Sequence, residues 1–309
     1  MHLNCPILMA FFVLTSPATA GPTNLALVGA PKLFALETVS PEGSDASPAF
    51  TPDGRTVFFT HGHSVMVSHL ANGAWSQPKM ASFSGVWRDI EPAMAPDGSY
   101  LVFISNRPEK VGGQALTGFW GGLPRPGAGG NIWRVNREGK TWGKPIRLPS
   151  IINSNTAIYS PAVAQDGSIY FNQPDPGTKR SHIYRAQATS HGFAAPVALS
   201  ISDATIAGYD AAIAPDESFI VFSSNRPPAA SGKSLLFVAF AIDGHWTEPK
   251  ALQPLTEGLE ARFSADLKFL YFSADVPSSV SPGLNEQPTP SRIFEVPIHI
   301  DKRNVIGSS

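Results

Sequence analysis

Three acidic residues stand at one repeated position of the sequence, six residues before an aspartate in a recurring motif: Glu91, Asp210 and Glu260. Ser47 and Ser160 occupy the same position in two further copies, and we call these five residues the ring positions. Hydrolysis of a glycosidic bond needs a general acid and a second carboxylate, roughly 5–10 Å apart. If folding brings Glu91, Asp210 and Glu260 together, they supply the groups of a carbohydrate-active enzyme, a glycoside hydrolase or lyase.

Other polar and aromatic residues lie next to the ring positions or in an insertion of the second repeat, residues 108–130. If the ring positions meet at one face, these side chains line a funnel there that holds a ligand. The aromatic residues, Phe119 among them, would supply apolar anchors and the charged ones polar specificity. The predicted ligand-binding residues are Asp45, Trp87, Arg88, Asp89, Glu91, Trp120, Tyr159, Tyr209, Asp210, Glu260 and Arg262.

A structural role competes with ligand binding for two arginines. Arg107 and Arg226 recur at the same offset in two repeats, each directly before a proline. We favour ion pairs that join the ends of a hairpin, Arg107 with Glu91 and Arg226 with Asp210, over ligand contacts. No such repeated partner accounts for Glu260, Arg262 and Asp45.

Metal and nucleotide sites find little support in the sequence. His61 and His63 form an isolated pair without cysteine or an H-E-x-x-H motif, so we predict no transition-metal site. Calcium held by the ring carboxylates is the alternative, because hard oxygen ligands suit that ion. The glycines between residues 121 and 130 precede a strand rather than a helix, which is not a phosphate-binding arrangement. No G-x-S-x-G nucleophile motif occurs.

The ring positions belong to a repeat that occurs five times and predicts the fold. In each copy a short segment such as Ser47-PAFTPDG-Arg55 precedes an apolar, β-rich run, and a third β-rich run follows. Strand, aspartate-containing turn and strand make a β-hairpin, because aspartate bonds the backbone two residues on and glycine accepts positive φ. Glu217 and Leu267 replace that glycine in the last two copies, so we expect these two turns to differ in detail from the three turns that contain glycine. The turn aspartates, given a structural role, are Asp53, Asp97, Asp166, Asp216 and Asp266.

A fourth strand is displaced from the last copy to the start of the chain. Four copies continue into an aromatic residue three positions before a proline, as in Trp75 with Pro78, but the fifth does not. The missing strand is predicted at Pro31–Leu36, where it pairs with the last copy and removes the exposed sheet edges. The fold class is therefore all-β, a five-bladed β-propeller of four-stranded antiparallel blades closed by the N-terminal strand. Six blades, with the insertion at residues 108–130 as an unseen copy, are the alternative.

The repeat resembles the exported TolB-like β-propeller repeat family, a WD-like repeat. The S-P-D-G hairpin, the F-x-S-N-R-P ending of the second strand (Phe103–Pro108 and Phe222–Pro227) and the W-x-x-P outer strand carry the resemblance. It covers essentially all of residues 21–309 and implies this fold. For function it implies a protein-binding role at the cell envelope, by fold analogy alone.

The N-terminal segment and the composition indicate the cellular compartment and exclude some classes of partner. Residues 1–20, with an apolar run and Ala18-Thr19-Ala20, predict a signal peptide cut after Ala20, although no Lys or Arg precedes the run. A buried N-terminal strand is the alternative. Residues 21–309 are then one propeller domain in the periplasm or outside the cell, and Cys5, the one cysteine, lies in the signal. A net charge of −1 argues against nucleic acid as a partner, and no ~20-residue apolar span is present.

The sequence favours a non-enzymatic, exported propeller that binds an envelope protein or a polysaccharide in its funnel. A carbohydrate-active enzyme that uses Glu91, Asp210 or Glu260 is the alternative, and a structural spacer in an envelope assembly is a third. No cofactor is predicted apart from the calcium alternative. Each ring carboxylate sits at the same repeat position, which favours a shared structural role over a catalytic constellation.

Overall fold

A computed structural model describes residues 21–34, 45–120, 123–203, 205–275 and 291–302. The predicted signal peptide lies outside these residues. All regular secondary structure in the described part is β-strand, and none of its segments is a helix that could cross a membrane. In chain order the strands are β1 Pro22–Leu27, β2 Lys32–Leu33, β3 Asp45–Phe50, β4 Thr56–His61, β5 Ser64–Ala71, β6 Ala74–Trp75, β7 Lys79–Met80, β8 Asp89–Met94, β9 Tyr100–Ser105, β10 Gly118–Trp120, β11 Leu123–Arg125, β12 Asn131–Glu138, β13 Thr141–Trp142, β14 Ile146–Arg147, β15 Tyr159–Val163, β16 Ile169–Pro174, β17 Ser181–Ala186, β18 Ala188–Thr189, β19 Gly192–Phe193, β20 Val197–Ala198, β21 Gly208–Ile213, β22 Phe219–Ser224, β23 Leu235–Ile242, β24 His245–Trp246, β25 Lys250–Ala251, β26 Leu259–Phe263, β27 Phe269–Asp275 and β28 Ser291–Lys302.

Apart from two two-stranded sheets, β10-β11 and β18-β19, these strands form five antiparallel sheets, which are the blades of a propeller. From the axis outward the blades are β3-β4-β5-β6, β8-β9-β12-β13, β15-β16-β17-β20, β21-β22-β23-β24 and β26-β27-β28-β1. The outermost strand is commonly split, so that β2, β7, β14 and β25 continue it beyond a proline. The insertion in the second blade contains a separate hairpin, β10-β11, rather than a sixth blade. The five-bladed prediction is confirmed.

The ring closes where the two ends of the described chain share one sheet. β28 pairs with β1 and β2, and Lys32 lies opposite Glu295 while Leu33 lies opposite Phe294. The Phe34 backbone N–H extends the pairing by donating to the Ile293 carbonyl at 2.9 Å. The predicted closure is confirmed, and the last sheet gains the outer strand that its own repeat lacks.

The five hairpin turns are alike, including the two without glycine. In each turn the aspartate carboxylate accepts the backbone N–H two residues on, at 2.8–3.2 Å. Glu217 (φ 59°) and Leu267 (φ 56°) adopt the same left-handed conformation as Gly54 (φ 65°), so the expected difference is wrong. The aspartate bond and the hairpin register hold that conformation although it costs about 1–2 kcal/mol for a residue with a Cβ. Glu217 also accepts the Arg185 Nε–H at 2.7 Å.

The hydrophobic core is divided into five clusters, each between two neighbouring blades. The large residue three positions before the turn aspartate packs on the preceding blade, as the ring contacts of Phe263 with Phe219 (5.2 Å) and Phe50 with Tyr271 (4.6 Å) show. The residue before it is small because the sheets converge near the axis. It is alanine in four blades and Arg262 in the fifth.

Candidate functional site

The inner strand of every blade contains a β-bulge at its ring position. Pairing with the second strand skips two residues there, as between Ala46 and Ala49 in the first blade. The ring residue adopts a left-handed conformation in all five blades, with φ between 47° and 55°. Such a φ is uncommon for residues other than glycine and is held in place by the surrounding contacts. The bulge turns each ring side chain away from its own sheet and toward the axis of the propeller.

Hydrogen bonds join the ring side chains from one blade to the next. Glu91 Oε2 accepts the Ser160 backbone N–H at 2.5 Å, and Ser160 Oγ donates to Asp210 Oδ1 at 2.6 Å. Asp210 also accepts from Asn172 Nδ2 at 3.1 Å and from the backbone N–H of Glu260. Blades two to five are thereby linked through one continuous chain of polar contacts, which we call the carboxylate belt.

The belt ends at Glu260 in the fifth blade, because the buried Ser47 Oγ of the first blade has no hydrogen-bond partner among the described residues. Glu260 Oε2 accepts the Ser273 hydroxyl at 3.0 Å, and the adjacent Ser47 side chain of the first blade lowers the pKa of Glu260. The prediction that the three acidic residues converge is therefore correct in geometry. One oxygen of each of these carboxyl groups accepts a hydrogen bond from a protein donor.

Burial and mutual repulsion keep protons on the belt. Protein surrounds the carboxyl groups, each keeping partial contact with the channel, and burial is the largest cause of every shift. Burial together with the charges of Glu260 and Asp210 raises the pKa of Glu91 to about 8. Burial and the charge of Asp210 raise the pKa of Glu260 to about 7, and burial also raises the pKa of Asp210. At neutral pH the belt therefore carries less negative charge than its three acids suggest.

Arg262 is a basic group near the belt carboxylates, and only part of its side chain is hydrogen-bonded. The residue is 6 % exposed, and its Nη1 donates to the carbonyl of its neighbour Ala261 at 2.8 Å. Its Nε and Nη2 are buried and have no hydrogen-bond partner in the described part of the chain. Burial lowers the pKa of the guanidinium, while the charges of Glu260, Glu91 and Asp210 raise it. A buried guanidinium with two free donors is costly, so this position is a candidate for ligand contact.

Two acidic candidates upstream of the ring are committed to scaffold pairs. Asp89 is fully buried and binds Arg107 Nη2 at 2.6 Å, and burial raises the pKa of Asp89. Asp45, also buried, binds His61 Nδ1 at 2.6 Å. The predicted pair of Arg107 with Glu91 is wrong because the bulge directs Glu91 to the axis, whereas Asp89 lies directly opposite Ser105, next to Arg107.

Arg226 is a structural residue as predicted, but with a different partner. Its guanidinium stacks over Phe222 and Phe237, and it donates to the Ile201 carbonyl rather than to Asp210. The fourth blade has Gly208 where the second has Asp89, so Arg226 lacks a buried carboxylate partner, and its Nη1 is 4.0 Å from Oε1 of the exposed Glu248. A backbone carbonyl of the adjacent loop takes the place of the buried carboxylate.

The two predicted tyrosines contribute their hydroxyls to loops. Tyr159 Oη donates to the Ala128 carbonyl at 2.5 Å, and the Tyr209 hydroxyl bonds to Ser234. Arg88 lies near the belt. Its positive charge acts on both Glu91 and Tyr159 and opposes part of the rise in their pKa values that burial causes.

The aromatic candidates sit on the loops of the same face. Trp87 is half-buried in the loop before β8. Trp120 ends β10, where its backbone pairs with Leu123, and its side chain lies outside the described residues. Within the described residues no group of three or more His, Cys, Asp or Glu is arranged to hold a metal ion. The calcium alternative stays a prediction.

A cavity of about 370 Å³ opens at the opposite end of the channel, beside the hairpin turns, where the sequence predicted no site. Its walls are the small and large inner-strand residues of all five blades, including Phe50, Met94 and Phe263, and Arg262 is the one basic residue among the described residues that line it. The signal for this cavity was the arginine that interrupts the alanine series.

The fold and its axis define a class: the chain is a five-bladed β-propeller with an acidic belt across its channel. Among solved structures, a thermostable family-43 glycoside hydrolase matches with TM-score 0.54 and 13 % identity, over 84 % of this chain and 90 % of that one. An endo-arabinase from Bacteroides thetaiotaomicron matches with TM-score 0.53 and 13 % identity, over 85 % and 96 %. At such identity these similarities show the fold alone.

TolB from Acinetobacter baumannii also matches, with TM-score 0.45 and 18 % identity, over 72 % of this chain and 47 % of TolB. The chain thus spans about half the length of that protein. No family model and no curated protein matches the sequence. Membership of the TolB-like repeat family stays a prediction from the repeat motifs.

Proposed function

We propose that the protein is a non-enzymatic, exported binding module that holds a segment of an envelope protein on the face where loops enter the inner strands. The supporting observation is a group of exposed apolar residues on two loops of the second blade at this face. Val86 is 85 % exposed, and the insertion contributes Val111, Phe119 and Leu123, all exposed. Exposed apolar side chains gathered on one face are typical of protein interaction sites.

The state of the belt supports binding over catalysis. A general acid must reach the leaving-group oxygen of a substrate. Glu91, Asp210 and Glu260 each use an oxygen to accept a hydrogen bond from the protein itself. In this proposal the belt joins the blades beneath the binding face. The exposed aliphatic side chains of that face favour a protein over a sugar as the partner.

The test compares substitutions on this face with a matched control. V86D/L123D places two negative charges on the proposed surface, and the control V197D places one negative charge away from it, on the outer strand of the third blade, where Val197 is 68 % exposed. Immobilised wild-type protein is exposed to an envelope extract and, separately, to purified polysaccharides. We expect one defined protein to be retained by the wild type and V197D and lost by V86D/L123D. Retention by all three proteins, or retention of a polysaccharide alone, would refute the proposal.

A glycoside hydrolase is the second candidate, favoured by three acidic groups on three blades with raised pKa values. The family-43 glycoside hydrolase and the endo-arabinase share the fold, which lends this candidate analogy only. If it is correct, the protein releases reducing ends from arabinan or a related polysaccharide. E91Q, D210N or E260Q would then lower kcat by at least about a hundredfold while binding survives. Added Ca²⁺ in the same assay, and in a melting experiment, tests the calcium alternative.

A further inference from the structure

The cavity at the turn end of the channel has the size and lining of a small-molecule site. Its volume of about 370 Å³ falls within the range of about 300–1,000 Å³ usual for such sites. Aliphatic and aromatic side chains make most of its wall, and Pro52, Pro96, Pro215 and Ala265 surround its mouth. Asp97 is the acidic lining residue; it lies exposed in its turn, where its carboxylate accepts the Ser99 hydroxyl at 2.7 Å.

Arg262 lines this cavity, and two nitrogens of its guanidinium, which together can bind a carboxylate, are buried without a partner among the described residues. Its free nitrogens are Nε and Nη2, while Nη1 is occupied by the Ala261 carbonyl. The same two nitrogens of Arg185 bind the two oxygens of Glu217, at 2.7 Å from Nε and 2.9 Å from Nη2. That pair shows what these two nitrogens do when a carboxylate is in reach: they form two parallel hydrogen bonds.

The belt carboxylates do not take this role for Arg262. Glu91, Asp210 and Glu260 attract the guanidinium electrostatically, but none forms a hydrogen bond with its Nε or Nη2. Their bonds go to Ser160, Asn172 and Ser273 instead. Because the belt retains protons near neutral pH, its repulsion of an incoming anion is partial.

We propose that the turn end of the channel binds a small organic carboxylate, with its apolar body in the cavity and its carboxylate on Arg262 Nε and Nη2. The site is separate from the proposed protein-binding face, which lies at the other end of the channel. The ligand class follows from the two parts of the lining: an apolar wall selects an alkyl or aryl body, and one bidentate donor pair selects a terminal carboxylate.

The repeat offers a substitution that should preserve the fold. Four blades have alanine where the fifth has Arg262, so R262A reproduces their inner strand. R262K keeps a positive charge but cannot form the two-pronged bond. R55A is the matched control, since Arg55 is exposed on a turn at the same face and does not line the cavity. A265W narrows the mouth from an exposed position without disturbing the core.

The experiment uses octanoate as the probe and octan-1-ol as its neutral counterpart, titrated calorimetrically into the full-length mature protein. We expect the wild type and R55A to bind octanoate at least tenfold more tightly than octanol. R262A and R262K should lose at least tenfold in octanoate affinity and leave octanol binding unchanged, and A265W should weaken both. Absence of octanoate binding to the wild type, equal binding of acid and alcohol, or undiminished octanoate binding by R262A and R262K would overturn the proposal.

Discussion

Replacing Glu91 with glutamine should change how the stability of the protein depends on pH. In the folded state burial and the neighbouring acids raise the pKa of Glu91 from 4.5 to about 8. Between these two values the folded chain therefore holds a proton that the unfolded chain has released. The free energy of unfolding must then fall as pH rises, by about 1.4 kcal/mol per pH unit for one proton, and by about 5 kcal/mol over the whole interval.

This change of unfolding free energy with pH has the opposite sign to the change that a carboxylate in an ion pair produces. The contribution of Glu91 to stability is complete below about pH 4.5 and disappears as pH passes about 8. Glutamine has nearly the same shape and remains neutral at every pH. The E91Q variant should therefore lose this slope, and its stability relative to the wild type should improve by about 3–4 kcal/mol between pH 5 and pH 8.

Urea unfolding followed by tryptophan fluorescence at half-unit steps from pH 5 to pH 8.5 measures the difference. E109Q is the control, because Glu109 is exposed and the substitution removes the same charge from the surface. Wild type and E109Q should show parallel decreases in unfolding free energy, and E91Q a shallower one. If E91Q parallels the wild type across this range, Glu91 is not protonated and the electrostatics of the belt are wrong.

Three further predictions concern the scaffold and the N-terminus. F34A should destabilise the protein by about 3–5 kcal/mol in urea denaturation, because Phe34 is 4 % exposed and contacts three aromatic rings at the closure. The control L33A, at the exposed neighbouring residue, should cost under ~1 kcal/mol in the same assay. R107A should cost about 3–5 kcal/mol at pH 7 because it leaves the carboxylate of Asp89 buried without its cation, and R107A/D89N should recover part of that loss. N-terminal sequencing of protein from a periplasmic or secreted fraction should begin at Gly21, and material that begins at Met1 would refute the predicted signal peptide.

The fold was predictable because its determinants are local and repeated. Each turn aspartate acts within two residues of itself, and five copies of one motif leave little freedom in the architecture. The closure was predictable as well, since a missing outer strand in one repeat and an unassigned one at the other end of the chain complement each other. The error over Glu217 and Leu267 came from assigning to glycine a conformation that the hairpin itself imposes.

The site was predictable only in part because its geometry depends on contacts between blades. Spacing identified the ring residues, but the left-handed bulge that sends Glu91 to the axis has no signature in residue type. The partner of Arg107 is therefore Asp89, two residues away from the predicted one. The cavity at the turn end arises from all five inner strands together, and only the arginine at position 262 marks it in the sequence.

Everything placed on the axis depends on the ring being closed by β2 against β28. In a Cys5→Ser background the chain has no other cysteine, so K32C/E295C introduces one isolated pair at directly opposed positions. We predict that this variant forms an intramolecular disulfide on mild oxidation, and that the control K32C/S291C, displaced along the same strand, keeps both thiols free. Free thiols in oxidised, folded K32C/E295C would contradict the closure and the convergence of the ring residues that rests on it.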